Sequence, residues 1–363
     1  YSFKYYLIQF MNLRDLSNIS ENKVSREART LSEIVCDDQN SLAERLVAFE
    51  DIINLEVGDT SLSRSRNIER DHDFRQLFLK FEGDNPTGTQ KDRIGFAQVY
   101  DALRRGFDTI TLATCGNYGA SVALAANLAG LKCNIYIPDG YHTDRIVEME
   151  SLGSNIFRLP GSYEDTVIKS SELAVEQDSY DANPGGQNKS LQIIAYSQIA
   201  FEIYDQLRDA PKICAVPVSN GTLLAGIHRG FVSLYKRGKT SRIPRFLAAS
   251  STLKNPIVHS FKKNLTECED LDPKKIKETF VNEPLINWHS FDGDEALSAI
   301  IETDGYAYNI SDKNMKKMGT YLKQHEGKNI LPASTAGLIG LLNLNETEPL
   351  ESDRYVAVLT AKN

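Results

Sequence analysis

Lys91 stands where a side-chain amine can do chemistry. Residues 80–93 read KFEGDNPTGTQKDR: an apolar run ends in an Asn-Pro-Thr-Gly turn, and a lysine follows where a helix-like stretch begins. A surface lysine after a turn is ordinary, but this tight turn fixes where the amine points. An amine held in a partly apolar pocket can form a Schiff base with a carbonyl compound. A second segment, TCGNYGAS at 114–121, directly follows the apolar run Thr109–Ala113. Its glycines let backbone approach a ligand, and a helix starting near Tyr118 points N–H groups at an anion such as a carboxylate. Alone, a GNxG turn is equally well a plain strand-to-helix connection. A third, Val218-Ser-Asn-Gly-Thr222, separates the apolar run Ile213–Val218 from the helix-like Leu223–Tyr235. Small and hydroxyl residues at a helix start form a phosphate cup from backbone amides. A fourth run, Tyr355–Thr360, ends on a hydroxyl and says little by itself.

Each turn must be held by regular elements, and after Leu77 the pattern supplies them. Short β-rich runs at Leu77–Phe81, Thr109–Ala113, Cys133–Pro138, Ile156–Leu159, Ile213–Val218, Phe246–Ala249, Ala307–Ile310 and Tyr355–Thr360 predict strands. Between them Gly95–Arg105, Tyr118–Leu128, Asp144–Leu152, Tyr163–Glu176, Leu191–Leu207, Leu223–Tyr235, Lys313–His325 and Thr335–Leu342 predict helices. Such alternation implies an α/β fold with mostly parallel sheets wrapped by helices on both faces. Eight strands over this length exceed one ordinary domain, so two open twisted sheets are expected. Residues 14–76 are polar and mixed, with a helical stretch at Ser41–Ile53. Residues 262–293 are charged and loop-rich and predict a solvated surface excursion.

The bulk numbers set bounds. A chain of 363 residues with 41% hydrophobic and 25% charged residues can bury a real core. A formal net charge of −8 argues against a nucleic-acid partner, which needs a basic face. Five cysteines, at 36, 115, 133, 214 and 268, share no CxxC spacing, and six histidines form no HExxH or HxH pair. Reduced thiols and no metal are expected. Tyr1–Leu13 is apolar and aromatic but too short to span a bilayer, and nothing reads as a cleavable signal. The expected setting is therefore the cytoplasm. Because the chain begins at Tyr1 rather than Met, residues ahead of it are expected.

Together the four segments resemble the threonine synthase branch of the fold type II pyridoxal-phosphate enzymes, in the tryptophan synthase β superfamily. That family carries, in order, an NPTGS-(F)-KDR lysine motif, an STGNxG loop, a PVGNGG phosphate loop and a terminal strand ending in VLTG. Here they stand as NPTGTQKDR (85–93), TCGNYGAS (114–121), PVSNGT (217–222) and VLT (358–360). Gly58-Asp-Thr60 fits the family's GxTPL segment, and LPASTAG (331–337) resembles its EPASAAG segment.

The resemblance implies pyridoxal 5'-phosphate as cofactor, with Lys91 carrying its imine and moving protons at the substrate α and β carbons. It implies that Asn117 bonds the cofactor's ring hydroxyl, while Thr114, Gly116, Asn117, Tyr118 and Gly119 hold the substrate carboxylate. Ser219, Asn220, Gly221 and Thr222 would cradle the phosphate, and Thr360 would meet the pyridine nitrogen. A neutral hydroxyl there makes the ring a weaker electron sink, which favours elimination and replacement over transamination. The implied architecture is a large cofactor-binding domain (57–94 and 184–363) and a small mobile domain (95–183), with the cofactor in the cleft between them. Residues 1–56 are an N-terminal lead-in. An amino acid is the expected substrate, and the chain is expected to act as a homodimer with no membrane partner.

Departures from the pattern bear on the substrate. Gln90 replaces an aromatic, Leu331 a common glutamate, and Thr222 a glycine, adding a hydroxyl that could contact the phosphate. Threonine synthases carry an arginine shortly after an Asn-Pro and a GQKT run before AFEI. Here Asn183-Pro184 leads into Gly185-Gly186-Gln187-Asn188-Lys189, and Ala195-Tyr-Ser-Gln198 precedes Ala200. An unpaired phosphate dianion is costly without a cationic partner, usually arginine. A serine/threonine dehydratase or a β-replacement synthase of the cysteine synthase type is therefore the alternative. A non-catalytic binding homologue is a third.

Overall fold

The computed structural model describes residues 23–363. The chain runs α1 (Arg26–Cys36), α2 (Leu42–Glu56), β1 (Leu62–Arg64), α3 (Arg66–Asp71), β2 (Leu77–Phe81), α4 (Lys91–Arg104) and β3 (Thr109–Ala113). It continues through α5 (Asn117–Ala129), β4 (Lys132–Pro138), α6 (Arg145–Ser151), β5 (Asn155–Leu159), α7 (Tyr163–Glu176) and β6 (Tyr180–Asp181). Next come α8 (Lys189–Leu207), β7 (Ile213–Pro217), α9 (Thr222–Lys236), β8 (Arg245–Ser251), α10 (Pro256–Lys262) and α11 (Gly293–Glu302). The last elements are β9 (Tyr306–Ile310), α12 (Asp312–His325), α13 (Ala336–Thr347) and β10 (Tyr355–Leu359).

The described chain divides into two compact units, one of residues 23–57 and 91–188, the other of residues 58–90 and 189–363. The first holds a parallel sheet in the order β5-β4-β3-β6. Helix α5 is a nearly unbroken run of small and apolar residues, Gly119 to Ala129, and is buried along almost its whole length. Its neighbour α4 comes close because Gly95 has no side chain: a Cβ there would lie 2.2 Å from Ser121 Oγ. The expected stretch Ser41–Ile53 is α2, started by a Ser41–Glu44 capping box, and its Phe49 stacks on Phe96 of α4 at 6.1 Å.

The second unit holds a six-stranded sheet in the order β1-β2-β10-β7-β8-β9, parallel except for β1. The C-terminal strand β10 is central, paired with β2 on one side and β7 on the other. All five of its residues are buried, so its Tyr-Val-Ala-Val-Leu run needs no polar alternation. Helix α13 covers one face so closely that a Cβ at Gly337 would lie 3.0 Å from the backbone of Ala215 and Val216.

The stretch expected as a solvated excursion is only half so. Residues 262–280 are mostly exposed, but Val281, Asn282, Leu285, Asn287, Ser290 and Asp292 are buried. The polar groups of Asn287, Ser290 and Asp292 hold the loop after β7, a non-local task that the local charge pattern conceals. In open α/β sheets ligand loops follow the carboxyl ends of strands. Thr114 follows β3, Ser219 follows β7, Thr360 follows β10 and the 82–90 turn follows β2.

Candidate functional site

The lysine motif begins at the end of β2. Asn85 fixes the turn: its Oδ1 accepts the Gly58 N–H at 3.0 Å and its Nδ2 donates to Glu82 O at 2.9 Å. Thr60 donates to Glu82 Oε1 at 2.7 Å, so Gly58-Asp-Thr60 is tied to this turn. Beneath it Lys80, fully buried, places Nζ 2.6 Å from both Thr60 O and Glu202 Oε2. Gly88 has φ +83°, which favours glycine. The turn is then zipped to the end of the central strand. Lys362 N–H donates to Gly88 O at 2.9 Å, Thr89 bridges Ala361, and Gln90 N–H donates to Thr360 O at 2.9 Å. Lys91 is the next residue.

Thr360 is thus one hydrogen bond from the residue before Lys91. Its Oγ1 lies 2.8 Å from Ser334 Oγ, and Ser334 Oγ also accepts the Ala361 N–H at 3.0 Å. Ser334 belongs to LPASTAG, to which sequence reasoning gave no role. The resemblance of that segment to a family motif was the only signal for it.

In the first unit Lys91 opens α4 and is partly exposed, with Nζ 5.6 Å from the centroid of the Tyr118 ring. The Tyr118 hydroxyl donates to Ala182 O at 2.6 Å and accepts from Gln98 Nε2. The loop from Thr114 wraps around its own hydroxyl, which accepts the N–H groups of Gly116 and Gly119, each at 3.0 Å. A Cβ at Gly119 would lie 2.5 Å from Thr114 Cγ2 and from Met149 Sδ, so only glycine fits. Gly116 packs against Thr143, and Asn117, half-buried, begins α5. Asn183 is structural: its Oδ1 accepts the Ala113 N–H at 2.7 Å just ahead of the loop. Lys91, Tyr118 and the 114–119 loop are therefore gathered within one unit.

The loop after β7 is held by side chains that arrive from far along the chain. Asn255 Nδ2 donates to Ser219 O at 3.0 Å, Ser290 Oγ donates to the same carbonyl at 3.2 Å, and Asn287 Nδ2 donates to Asn220 Oδ1 at 3.1 Å. Gly221, at φ +98°, is the N-cap of α9 and brings no side chain to its first-turn N–H groups. The Thr222 hydroxyl, which the sequence offered to a phosphate, donates to Asp292 Oδ2. Lys189, which closes the segment lacking the arginine, lies 3.9 Å from Asp292 Oδ1 and pairs with Glu295 Oε1, while Arg105 Nη1 donates to Asn188 Oδ1 at 3.2 Å. Sequence reasoning missed Asn255, Asn287, Ser290 and Asp292.

Local features fit pyridoxal phosphate. An amine opens α4 against an aromatic ring, the 15-residue α9 begins uncapped behind a left-handed glycine, and a hydroxyl pair ends β10. Among the described residues no three His, Cys, Asp or Glu could hold a metal ion, and no helix is long and apolar enough to cross a membrane.

A family profile described as "Pyridoxal-phosphate dependent enzyme" matches residues 53–361. The chain is similar to the threonine synthase of Methanocaldococcus jannaschii, 29% identical over 311 residues, covering 85% of this chain and 75% of that protein. It is also similar to the threonine synthase of Methanosarcina acetivorans, 26% identical over 327 residues and covering 90% and 79%. Among solved structures, maize serine racemase superposes with a TM-score of 0.70 at 19% identity, over 88% of this chain and 93% of that one. O-ureido-L-serine synthase gives 0.68 at 19% identity, over 84% and 90%. At these identities the structural likeness speaks for the fold.

Proposed function

The chain belongs to the pyridoxal-phosphate-dependent enzymes, and from that premise we propose that it performs β- or γ-elimination or replacement on an amino acid, as a threonine synthase-like lyase. Bound to the chain, the cofactor supplies a sink for the negative charge that develops at the substrate α carbon. Lys91 would hold the cofactor, and its amine would move protons at the substrate α and β carbons. Asn117 would bond the cofactor's ring hydroxyl. The backbone of Thr114, Gly116, Asn117, Tyr118 and Gly119 would hold the substrate carboxylate. Ser219, Asn220, Gly221 and Thr222 would cradle the phosphate, and Thr360 would meet the pyridine nitrogen.

One observation carries the choice of reaction. Thr360 Oγ1 is paired with another hydroxyl, Ser334 Oγ, at 2.8 Å. A hydroxyl, unlike a carboxylate, would not stabilise a protonated ring nitrogen, and the weaker sink would suit elimination and replacement better than transamination.

The leaving group is open to a second reading on a specific observation. A substrate phosphate calls for a cation. After Asn183-Pro184 comes Gly185-Gly186, and Lys189 is drawn to Asp292 and Glu295. This favours an unphosphorylated substrate, hence a serine/threonine dehydratase or a β-replacement synthase. The acidic balance, net −8, supports a small-molecule partner rather than nucleic acid. On this reading the protein works as a homodimer in the cytoplasm.

Lys91→Ala is expected to abolish the visible absorbance of the cofactor-loaded protein together with turnover; retention of both overturns the reading. Ammonia and phosphate release from serine, threonine and their O-phospho forms then separate the two readings. A purified wild-type protein that is colourless and takes up no cofactor would point instead to a binding homologue.

A further inference from the structure

Three side-chain amides lead in series to the loop after β7, and their polarity is fixed at the far end. Asn255 is the N-cap of α10, and its Oδ1 accepts the main-chain N–H groups of Ile257 and Val258 at 3.1 and 3.2 Å. A main-chain N–H only donates, so only the amide oxygen can stand there. Asn255 Nδ2 therefore faces Ser219 O and Asn287 Oδ1, both at 3.0 Å. With its oxygen committed to Asn255, Asn287 turns Nδ2 to His289 O and Ser290 Oγ, each at 2.9 Å, and to Asn220 Oδ1 at 3.1 Å.

The orientation set at a helix start is thus passed to the third amide. A flipped Asn220 would set its own amino group against that of Asn287, donor against donor, so its oxygen stays on Asn287. Asn220 Nδ2 is turned the other way; the residue is half-buried, and among the described residues none accepts from that nitrogen. The main chain of the loop is held separately. Ser219 O accepts from Asn255 and Ser290, and Asn220 O accepts the Asp292 N–H at 3.0 Å. Asn287 bonds the loop through the Asn220 side chain.

We propose that Asn287 is a positioning residue that fixes the polarity of the Asn220 amide, so that the loop offers the cofactor's phosphate an N–H donor rather than a carbonyl oxygen. A phosphate dianion presents only acceptors at that point, and the wrong end of the amide would repel it. The inference rests on the assignment of residues 219–222 to the phosphate.

The full chain, stripped of cofactor, is titrated with pyridoxal phosphate and with pyridoxal. The ratio of the pyridoxal to the pyridoxal phosphate dissociation constant isolates the phosphate's share. Asn220→Ala removes the donor and should lower that ratio about tenfold, the loss of one hydrogen bond to a charged group. Asn287→Asp keeps an acceptor for Asn255 and loses the donor to Asn220, whose amide then reverses. It should lower the ratio at least about tenfold. Added to Asn220→Ala, it should lower the ratio by no more than about threefold, the share of the new charge alone. A second readout follows the amide itself. With isotopically labelled asparagine, the NMR side-chain resonance missing from Asn220→Ala belongs to Asn220. Pyridoxal phosphate should shift it further than pyridoxal does, and Asn287→Asp should remove that difference.

A residue that only supports the loop would give losses that add, and additive losses overturn the proposal. So does an Asn220 resonance that responds alike to the two ligands. If Asn287→Asp fails to fold, Asn287→Ala takes its place, with a fall of about threefold that vanishes in the Asn220→Ala background. A wild-type ratio near one would bring down the phosphate assignment and the proposal with it, a failure recognisable because it appears in the unaltered chain.

Discussion

Two lysines, Lys80 and Lys91, flank the same turn, and burial separates their roles. Lys80 has no exposure and spends its ammonium on Thr60 O and on Glu202 Oε2, both at 2.6 Å. A buried charge that loses its partner costs about 3 kcal/mol or more. Lys80→Met should therefore lower the free energy of unfolding by about 3 kcal/mol, read from urea denaturation. Lys80→Met with Glu202→Leu should cost less than Lys80→Met alone, because no charge is stranded. Additive losses would show that the pair is not coupled. Burial sorts the cysteines in the same way. Cys133 and Cys214 are fully buried, which pushes their thiols up to about 12, whereas Cys36 is exposed. Alkylation of the native protein near pH 8, read by mass spectrometry, should label Cys36 while Cys133 and Cys214 stay unmodified. Early modification of either buried thiol would contradict this.

Helices α8 and α9 approach through glycines, so two opposing effects can be weighed. A Cβ at Gly230 would lie 2.5 Å from Ser197 O and 2.6 Å from Ala200 Cβ; one at Gly226 would lie 2.8 Å from Ile193 O. Replacing a helix-interior glycine by alanine gains about 1 kcal/mol in propensity. Overpacking against a backbone carbonyl, which cannot swing aside, costs about 1–3 kcal/mol. Gly230→Ala should thus destabilise the protein by up to about 2 kcal/mol, read from urea denaturation, and a stabilised variant would show that the helices can part. The same distinction governs what the sequence reveals. The apolar runs that became β2, β3, β7 and β10 are legible because burial on both faces leaves a local signature. The three-residue edge strand β1 and the two-residue β6 carry too few side chains to show a period. The turns at 85–91, 114–119 and 217–222 are legible for their glycines and their place after strands. Their supports Ser334, Asn255, Asn287, Ser290 and Asp292 come from distant segments, and no local pattern announces them.

The chain as a whole carries more acid than base, and how each carboxylate is held decides its response to pH. Burial raises the pKa of Glu148 in the first unit and of Glu69, Asp209 and Asp353 in the second, yet each ends below its ordinary value. The opposing groups are Lys23 and Arg145 for Glu148, Arg64 and the Leu77 N–H for Glu69, Ser241 and Arg354 for Asp209, and Arg242 for Asp353. A carboxylate with a lowered folded pKa contributes stability that is present above its unfolded value, about 4, and is lost as pH falls through the folded value. His228 acts earlier in an acid titration. Burial lowers its pKa, partly countered by Glu302, so protonation favours the unfolded chain. Its contribution is full above the unfolded value of about 6.5 and declines below it. Thermal melts against pH should therefore show two limbs, a shallow one beginning near pH 6.5 and a steeper one below about 4. His228→Phe, which keeps an aromatic edge against Phe246, 5.5 Å away, should flatten the first limb and leave the second. Asp353→Asn should do the reverse, because it removes one carboxylate whose pairing with Arg242 is lost only in acid. If His228→Phe leaves the upper limb in place, the early loss of stability belongs to another group.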